Sequence, residues 1–268
     1  MANERITVTL KPTTVRFVPG EATSPDELGI AVLHLYAYQT AATHVRPGAR
    51  VLDVGFGEGY GSVILVRAGA EYRGVEIDSE IVHHARKRYG PVFETYDGTS
   101  IDAADGTFDL VVAFQVIAYL EDPQPWLREI RRVLDPQGTA LITTPNRVYR
   151  LFEGQRPWNR YHACEYSAAE LAHVLETTFS DVTVYGVLAA EPIDSVVRAR
   201  AARARRLARL DPLGLRYWLP ESLNAPLRRV LRRTAPPDVD RSAFTLDRVW
   251  HDDARAADGL DLLAFVRP

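Results

Sequence analysis

Apolar residues in this chain cluster in short runs separated by longer mixed segments. The runs occupy 50–54, 72–77, 92–95, 108–114, 139–144, 181–187 and 260–266, most of them bounded by Gly, Pro or Asp. Runs of that length predict strands, and the near-continuous stretch from Phe108 to Phe114 predicts one covered on both faces. The intervening segments predict helices over 26–45, 60–69, 79–89 and 123–134. Ser24-Pro25-Asp26 opens the first of these, and Ser167 with Glu170 three residues on forms a capping box that opens a further helix.

Strands that alternate with helices predict a mostly parallel sheet flanked by helices, here of seven strands with the last antiparallel. The last two strands are separated by residues 192–258, too long a connection for a hairpin, which predicts a helical insertion. The chain then divides into an N-terminal segment and lid helix (1–45), a core (46–190), an arginine-rich helical insertion (191–258) and the final core strand (259–268). At 268 residues there is room for one large domain and at most a small second one.

The sharpest local signal follows the first strand. Asp53 ends that strand, and Gly55, Gly57 and Gly59 come at alternate positions before the next helix. Glycine lets the backbone turn tightly and approach a ligand where a Cβ would collide, and the helix N-terminus favours an anionic group. Glu76 ends the second strand about 20 residues on, where a carboxylate can accept both hydroxyls of a ribose. Asp97-Gly98 follows the third strand, within reach of an adenine amino group. A dinucleotide site would need glycine at the sixth position of its fingerprint, but Tyr60 or Ser62 stands there, and Asp53 would crowd a pyrophosphate. S-adenosylmethionine (SAM), which has no phosphate and carries a carboxylate, fits this set.

Asp53-Val-Gly-Phe-Gly-Glu-Gly59, Gly74-Val-Glu-Ile-Asp78, Phe108-Asp-Leu-Val-Val112 and Val133-Leu-Asp-Pro-Gln-Gly138 resemble the motifs of class I SAM-dependent methyltransferases with a Rossmann-like α/β sheet. The resemblance implies a cofactor set of Tyr36, Asp53, Gly55, Phe56, Gly57, Gly59, Glu76, Ile77, Asp97, Gly98 and Gln115. Arg16-Phe-Val-Pro-Gly20, His34-Leu-Tyr-Ala-Tyr38, Thr143-Thr-Pro-Asn146, Tyr161-His162 and Asp261-Leu-Leu-Ala264 are similar to a bacterial subgroup linked to glycan, glycolipid and natural-product pathways. That implies O-methylation of a sugar hydroxyl, with methylation of a non-sugar natural product and a non-catalytic SAM-binding scaffold as alternatives. Phe56 replaces a small residue or cysteine of the subgroup, and Val116-Ile-Ala-Tyr-Leu120 lacks its Glu-His pair.

A hydroxyl acceptor benefits from a base, and His162, in the aromatic stretch after the fifth strand, is the candidate. On the first helix His34 and Tyr38 share a face while Tyr36 points away; that helix is expected to lid the cofactor. Tyr119, Glu121 and Asp122 fall near the pocket or cap the helix at Pro123.

Composition narrows the picture further. The single Cys164 excludes an internal disulfide, and no Cys/His group has metal spacing, so no metal is expected. Met1 to Phe17 lacks the apolar core of a secretory signal and no run is long enough to span a bilayer, which makes cytoplasm the expected location. The net charge of −3 argues against a nucleic-acid partner, yet residues 198–233 hold eleven arginines against two acidic residues, a local +9. This stretch reads either as a contact for an anionic membrane surface or as a solvated face paired with acidic residues elsewhere.

Overall fold

The computed structural model describes residues 19–209 and 239–268. Its centre is one sheet of eight strands in the order β3-β2-β1-β4-β5-β8-β6-β7. These are β1 (Arg50–Val54), β2 (Glu71–Glu76), β3 (Phe93–Thr95), β4 (Phe108–Phe114), β5 (Leu134–Pro145), β6 (Asp181–Ala189), β7 (Val249–Asp252) and β8 (Asp261–Arg267). Strands β1 to β5 pair in parallel, while β8 runs antiparallel to both β5 and β6. The fold is the α/β, Rossmann-like arrangement expected from the strand and helix pattern.

Helices cover both faces: α1 (Pro25–Ala42), α2 (Gly61–Arg67), α3 (Ser79–Tyr89), α4 (Gln124–Val133), the single turn α5 (Arg147–Arg150), α6 (Ala168–Glu176) and α7 (Ile193–Arg209). Local chemistry sets their starts. Ser24 with Glu27 and Ser167 with Glu170 form reciprocal capping boxes on α1 and α6. Asp78 accepts from the backbone N–H of Glu80 and Ile81 to open α3. Asp122 accepts from the N–H of Gln124 at 3.0 Å, so its role is to cap α4. One apolar layer, including Leu52, Val111, Trp126, Ile130 and Leu171, packs on one side of the sheet, and another, including Val51, Leu65, Val112 and Leu263, on the other.

Two expectations need correction. The sheet has eight strands rather than seven, because the segment after α7 is not wholly helical. Val249–Asp252 adds an antiparallel edge strand to β6, which presents unpaired backbone groups for it. Asp135 to Gly138, ahead of the strand expected over 139–144, instead lies within β5 at a shift of register against β4. The arginines of the insertion beyond Arg209 lie outside the described residues. No helix among the described residues is long and apolar enough to cross a membrane.

This topology builds the site. Parallel strands β1 to β5 bring their carboxyl ends to one edge of the sheet. Antiparallel β8 starts there, with Asp261 opposite Pro145 of β5 and Val187 of β6.

Candidate functional site

At the carboxyl end of β1 the backbone folds into the expected turn, with Gly55, Gly57 and Gly59 at φ of 74°, 56° and 79°. These are left-handed conformations that side chains with a Cβ resist. A Cβ on Gly55 would lie 2.5 Å from Cγ2 of Val116, so this turn is pressed against the loop that follows β4. A Cβ on Gly57 would meet nothing within 4 Å, so the turn is open on that side. Phe56 points the other way: it is 2% exposed, and its ring packs on Phe93 at 4.6 Å. Its bulk therefore fills the core beneath the turn.

Asp53 is fully buried, and one carboxylate oxygen accepts from the hydroxyls of Tyr38 (3.0 Å) and Tyr72 (2.9 Å). Its other oxygen has no hydrogen-bond partner. Burial pushes the carboxyl up to about 7, against the opposing pull of the two tyrosines. Glu76 reaches back to the turn, accepting from the N–H of Gly57 (3.3 Å) and of Ile77 (2.7 Å). Burial raises its pKa against those bonds. Asp97 accepts from the N–H of Ser100 and from the N–H and hydroxyl of Thr99, bonds that lower its pKa, while Gly98 turns the chain at φ 84°. Burial raises the pKa of Tyr96 and of Tyr119, and the charge of Glu76 adds to the rise. No sequence signal marked Tyr96. Tyr119 was marked by its place after the fourth strand, near the expected pocket.

The lid helix contributes Tyr38 rather than Tyr36. Besides bonding Asp53, the Tyr38 ring lies where a Cβ on Gly61 would sit, only 2.1 Å away. One helical turn earlier, His34 bonds the Tyr60 hydroxyl at 3.1 Å, and burial followed by the charge of Arg200 lowers its pKa to about 4. The Tyr36 hydroxyl instead bonds His251 of β7 at 2.7 Å, since it leaves the helix on another face.

Beyond β4 the site changes character. Gln115 holds φ 64°, a left-handed conformation rare outside glycine, and its amide nitrogen donates to Thr143 Oγ1 (3.3 Å) and Asp261 Oδ2 (3.0 Å). Nearby, Glu165 is inaccessible to solvent. It accepts from Arg150 (2.9 and 3.2 Å) and bonds His162 Nδ1 at 3.0 Å. Burial alone would raise Glu165, but the Arg150 charge and these bonds outweigh it and hold the carboxyl at about 2. The His162 ring, its Nδ1 taken, meets Tyr119 edge-on at 4.9 Å. The described part of the arginine-rich segment is paired with its own protein: Arg203 bonds Asp26 at 2.6 Å, Arg198 bonds Asp194, and Arg205 and Arg209 lie over the Phe152 ring. Among the described residues no group of three or more His, Cys, Asp or Glu side chains could hold a metal ion.

This donor-side geometry coincides with a known family. Residues 52–142 match the methyltransferase-domain family. A protein of Mycolicibacterium smegmatis named as a SAM-dependent methyltransferase is 37% identical over 150 residues, which is 56% of this chain and 58% of that protein. A Mycobacterium tuberculosis protein named in the same way is 33% identical over 174 residues, 63% of each chain. The chain thus spans about three fifths of the length of these relatives. Among solved structures, a SAM-dependent methyltransferase of Thermotoga maritima superimposes with a TM-score of 0.53 at 19% identity, over 88% of this chain and 90% of that one. The [4+2]-cyclase SpnF superimposes equally well, with a TM-score of 0.53 at 20% identity, over 89% and 82%. At such identities the likeness shows a shared fold and not a shared reaction. Over residues 52–142 the chain is thus similar to the methyltransferase domain, the relatives it matches are named SAM-dependent methyltransferases, and the cofactor this implies is SAM. The residues fit that group, for the Gly57 side of the turn is open and the Glu76 carboxylate stands beside it, bonded to the Gly57 N–H.

Proposed function

We propose that this chain is a SAM-dependent methyltransferase acting on a hydroxyl of a small or sugar-bearing acceptor. The observation that carries the reading is Glu76, a part-buried carboxylate tied to the glycine turn at the carboxyl edge of a parallel sheet. Asp53, Gly55, Gly57, Gly59, Glu76, Ile77, Asp97, Gly98 and Gln115 would hold the cofactor, Glu76 by accepting from the ribose hydroxyls. Neither Tyr36 nor the Phe56 ring faces this turn, and Tyr38 takes the place on the lid helix expected of Tyr36.

Bound SAM supplies a methyl group on a sulfonium whose bond breaks with the electron pair passing to sulfur. What the chain adds is position and proton management. Glu165, held ionised by Arg150, fixes the tautomer and orientation of His162 through Nδ1, which leaves Nε2 to take the acceptor's hydroxyl proton. Tyr119, from the loop after β4, packs edge-on against that ring.

Calorimetric titration with SAM and its demethylated product, S-adenosylhomocysteine, tests the donor site. The wild-type chain is expected to bind both, and Glu76→Ala to weaken binding about tenfold or more, the scale of lost hydrogen bonds to a charged group. Absence of binding to either ligand would sink the reading.

A further inference from the structure

Among the described residues Gln115 alone holds a left-handed backbone without being glycine, at φ 64°. It stands where β4 ends and the chain turns away from the sheet. Glycine would adopt this conformation without strain and end the strand equally well, so ending the strand does not account for a glutamine here. Its bonds do. The Gln115 N–H donates to the Thr143 carbonyl (3.0 Å) and lies 3.2 Å from Thr143 Oγ1, while the side-chain amide nitrogen donates to Thr143 Oγ1 (3.3 Å) and to Asp261 Oδ2 (3.0 Å). Thr143 belongs to β5 and Asp261 to β8, so one residue fastens the end of β4 to the two strands beyond it. Backbone strain of this kind persists only where the surroundings over-determine it, and these contacts do so.

The segment that follows touches both halves of the site. Val116 presses on the glycine turn, its Cγ2 only 2.5 Å from where a Cβ on Gly55 would lie. The Ala118 carbonyl accepts from the N–H of Ala163 (2.8 Å) and of Cys164 (3.2 Å), the residues directly after His162. Tyr119 then meets the His162 ring edge-on. We infer that Gln115 is a positioning residue, whose left-handed backbone and amide latch hold residues 116–119 between the glycine turn and the His162 loop and so set donor and base relative to each other. The inference rests on the methyltransferase reading and deepens it. Both hydrogens of the Gln115 amide are committed to Thr143 and Asp261, so its action on the site runs through Val116, Ala118 and Tyr119. Transfer to an acceptor depends on such placement, since a misplacement of about 1 Å can cost about a hundredfold in rate.

The test needs no acceptor. Calorimetry with S-adenosylhomocysteine and urea unfolding are run on the wild type, Gln115→Gly, Gln115→Ala, Thr143→Val and the double variant of Gln115→Gly with Thr143→Val. Gln115→Gly keeps the left-handed backbone and loses the latch; it should fold and bind about tenfold more weakly, the scale of the lost bond to a carboxylate. Thr143 is 3% exposed and out of reach of a ligand, so Thr143→Val removes only an anchor and should weaken binding about threefold. The double variant should bind no worse than Gln115→Gly alone, because both changes break one latch. Gln115→Ala has to hold φ 64° with no amide, so it should unfold at lower urea than Gln115→Gly. On the base side, the His162 ring resonance, assigned by its loss in His162→Ala, should shift in Gln115→Gly. Unchanged affinity or an unmoved resonance in a folded Gln115→Gly would overturn the inference. So would a loss in Gln115→Gly with Thr143→Val at wild-type affinity, which would make Gln115 a direct cofactor contact instead of a latch. A wild type that fails to bind S-adenosylhomocysteine would remove the methyltransferase reading itself and this inference with it.

Discussion

At the scale of single residues, two contacts carry consequences that can be measured. Gly61 sits under the Tyr38 ring, with 2.1 Å left for a Cβ, and Tyr38 cannot move aside without giving up its bond to Asp53. Gly61→Ala should therefore destabilise the fold by about 1–3 kcal/mol, the usual cost of overpacking. Adding Tyr38→Ala should restore part of that loss, and urea unfolding of the two single variants and the double variant would measure the coupling. Arg150 and Glu165 form a buried pair whose carboxylate has no solvent access. Removing one partner with Arg150→Ala strands the other and should cost about 3–5 kcal/mol, read from the same unfolding curves. Neither effect was legible in the sequence, because each depends on partners 15 or more positions away. What could be read at this scale was the glycine turn with Asp53 and Glu76, whose chemistry follows from local spacing alone.

At the scale of elements, most strands and helices were legible because each carries its own signal. The capping box at Ser167 is one: side chain and backbone are both satisfied within three residues. Ser167→Ala should destabilise the protein by about 1 kcal/mol through fraying of α6, which packs on β6. Thermal unfolding would show the loss, and an unchanged midpoint would mean that tertiary packing alone holds the helix. Strand β7 had no such signal. Its four residues alternate in no decisive way, and only the free edge of β6 makes Val249–Asp252 a strand. Likewise, the lid helix was legible as a helix, but not which of its aromatic residues faces the turn. Tyr36 and Tyr38 are separated by about 200° around the axis, and the packing of α1 against α2 and α7 decides that Tyr38 meets Asp53 while Tyr36 meets His251.

At the scale of the whole molecule, two buried carboxyls couple the site to stability. Asp53 and Asp261 both stand at about 7, raised by burial from the ordinary value near 4. Between those values the folded chain holds more protons than the unfolded one. Their contribution to stability is therefore fully present below about pH 4 and is lost as pH rises through about 7. Glu165, at about 2, acts the other way, and its contribution is lost only in strong acid. Stability contributed by these two groups should then fall between about pH 4 and pH 7, and Asp53→Asn and Asp261→Asn should each flatten the slope; chemical denaturation across that range checks it. A flat profile in the wild type would show that neither carboxyl is raised.

The sequence by itself determined the alternation of strands and helices, the capping boxes and the glycine turn with its two carboxylates. All of these depend on neighbours within a turn or a strand, or on a spacing of about 20 residues set by one βαβ unit. Only the tertiary structure decided which residues meet at the carboxyl edge. Antiparallel β8 starts at the edge where β4 and β5 end, and so Asp261 is brought to Gln115, 146 positions away. The same closure lays α7 over α1 and α5 and turns Arg150, Glu165 and His162 into one bonded chain. Those contacts arise from strand order and helix packing, which have no local imprint in the order of residues.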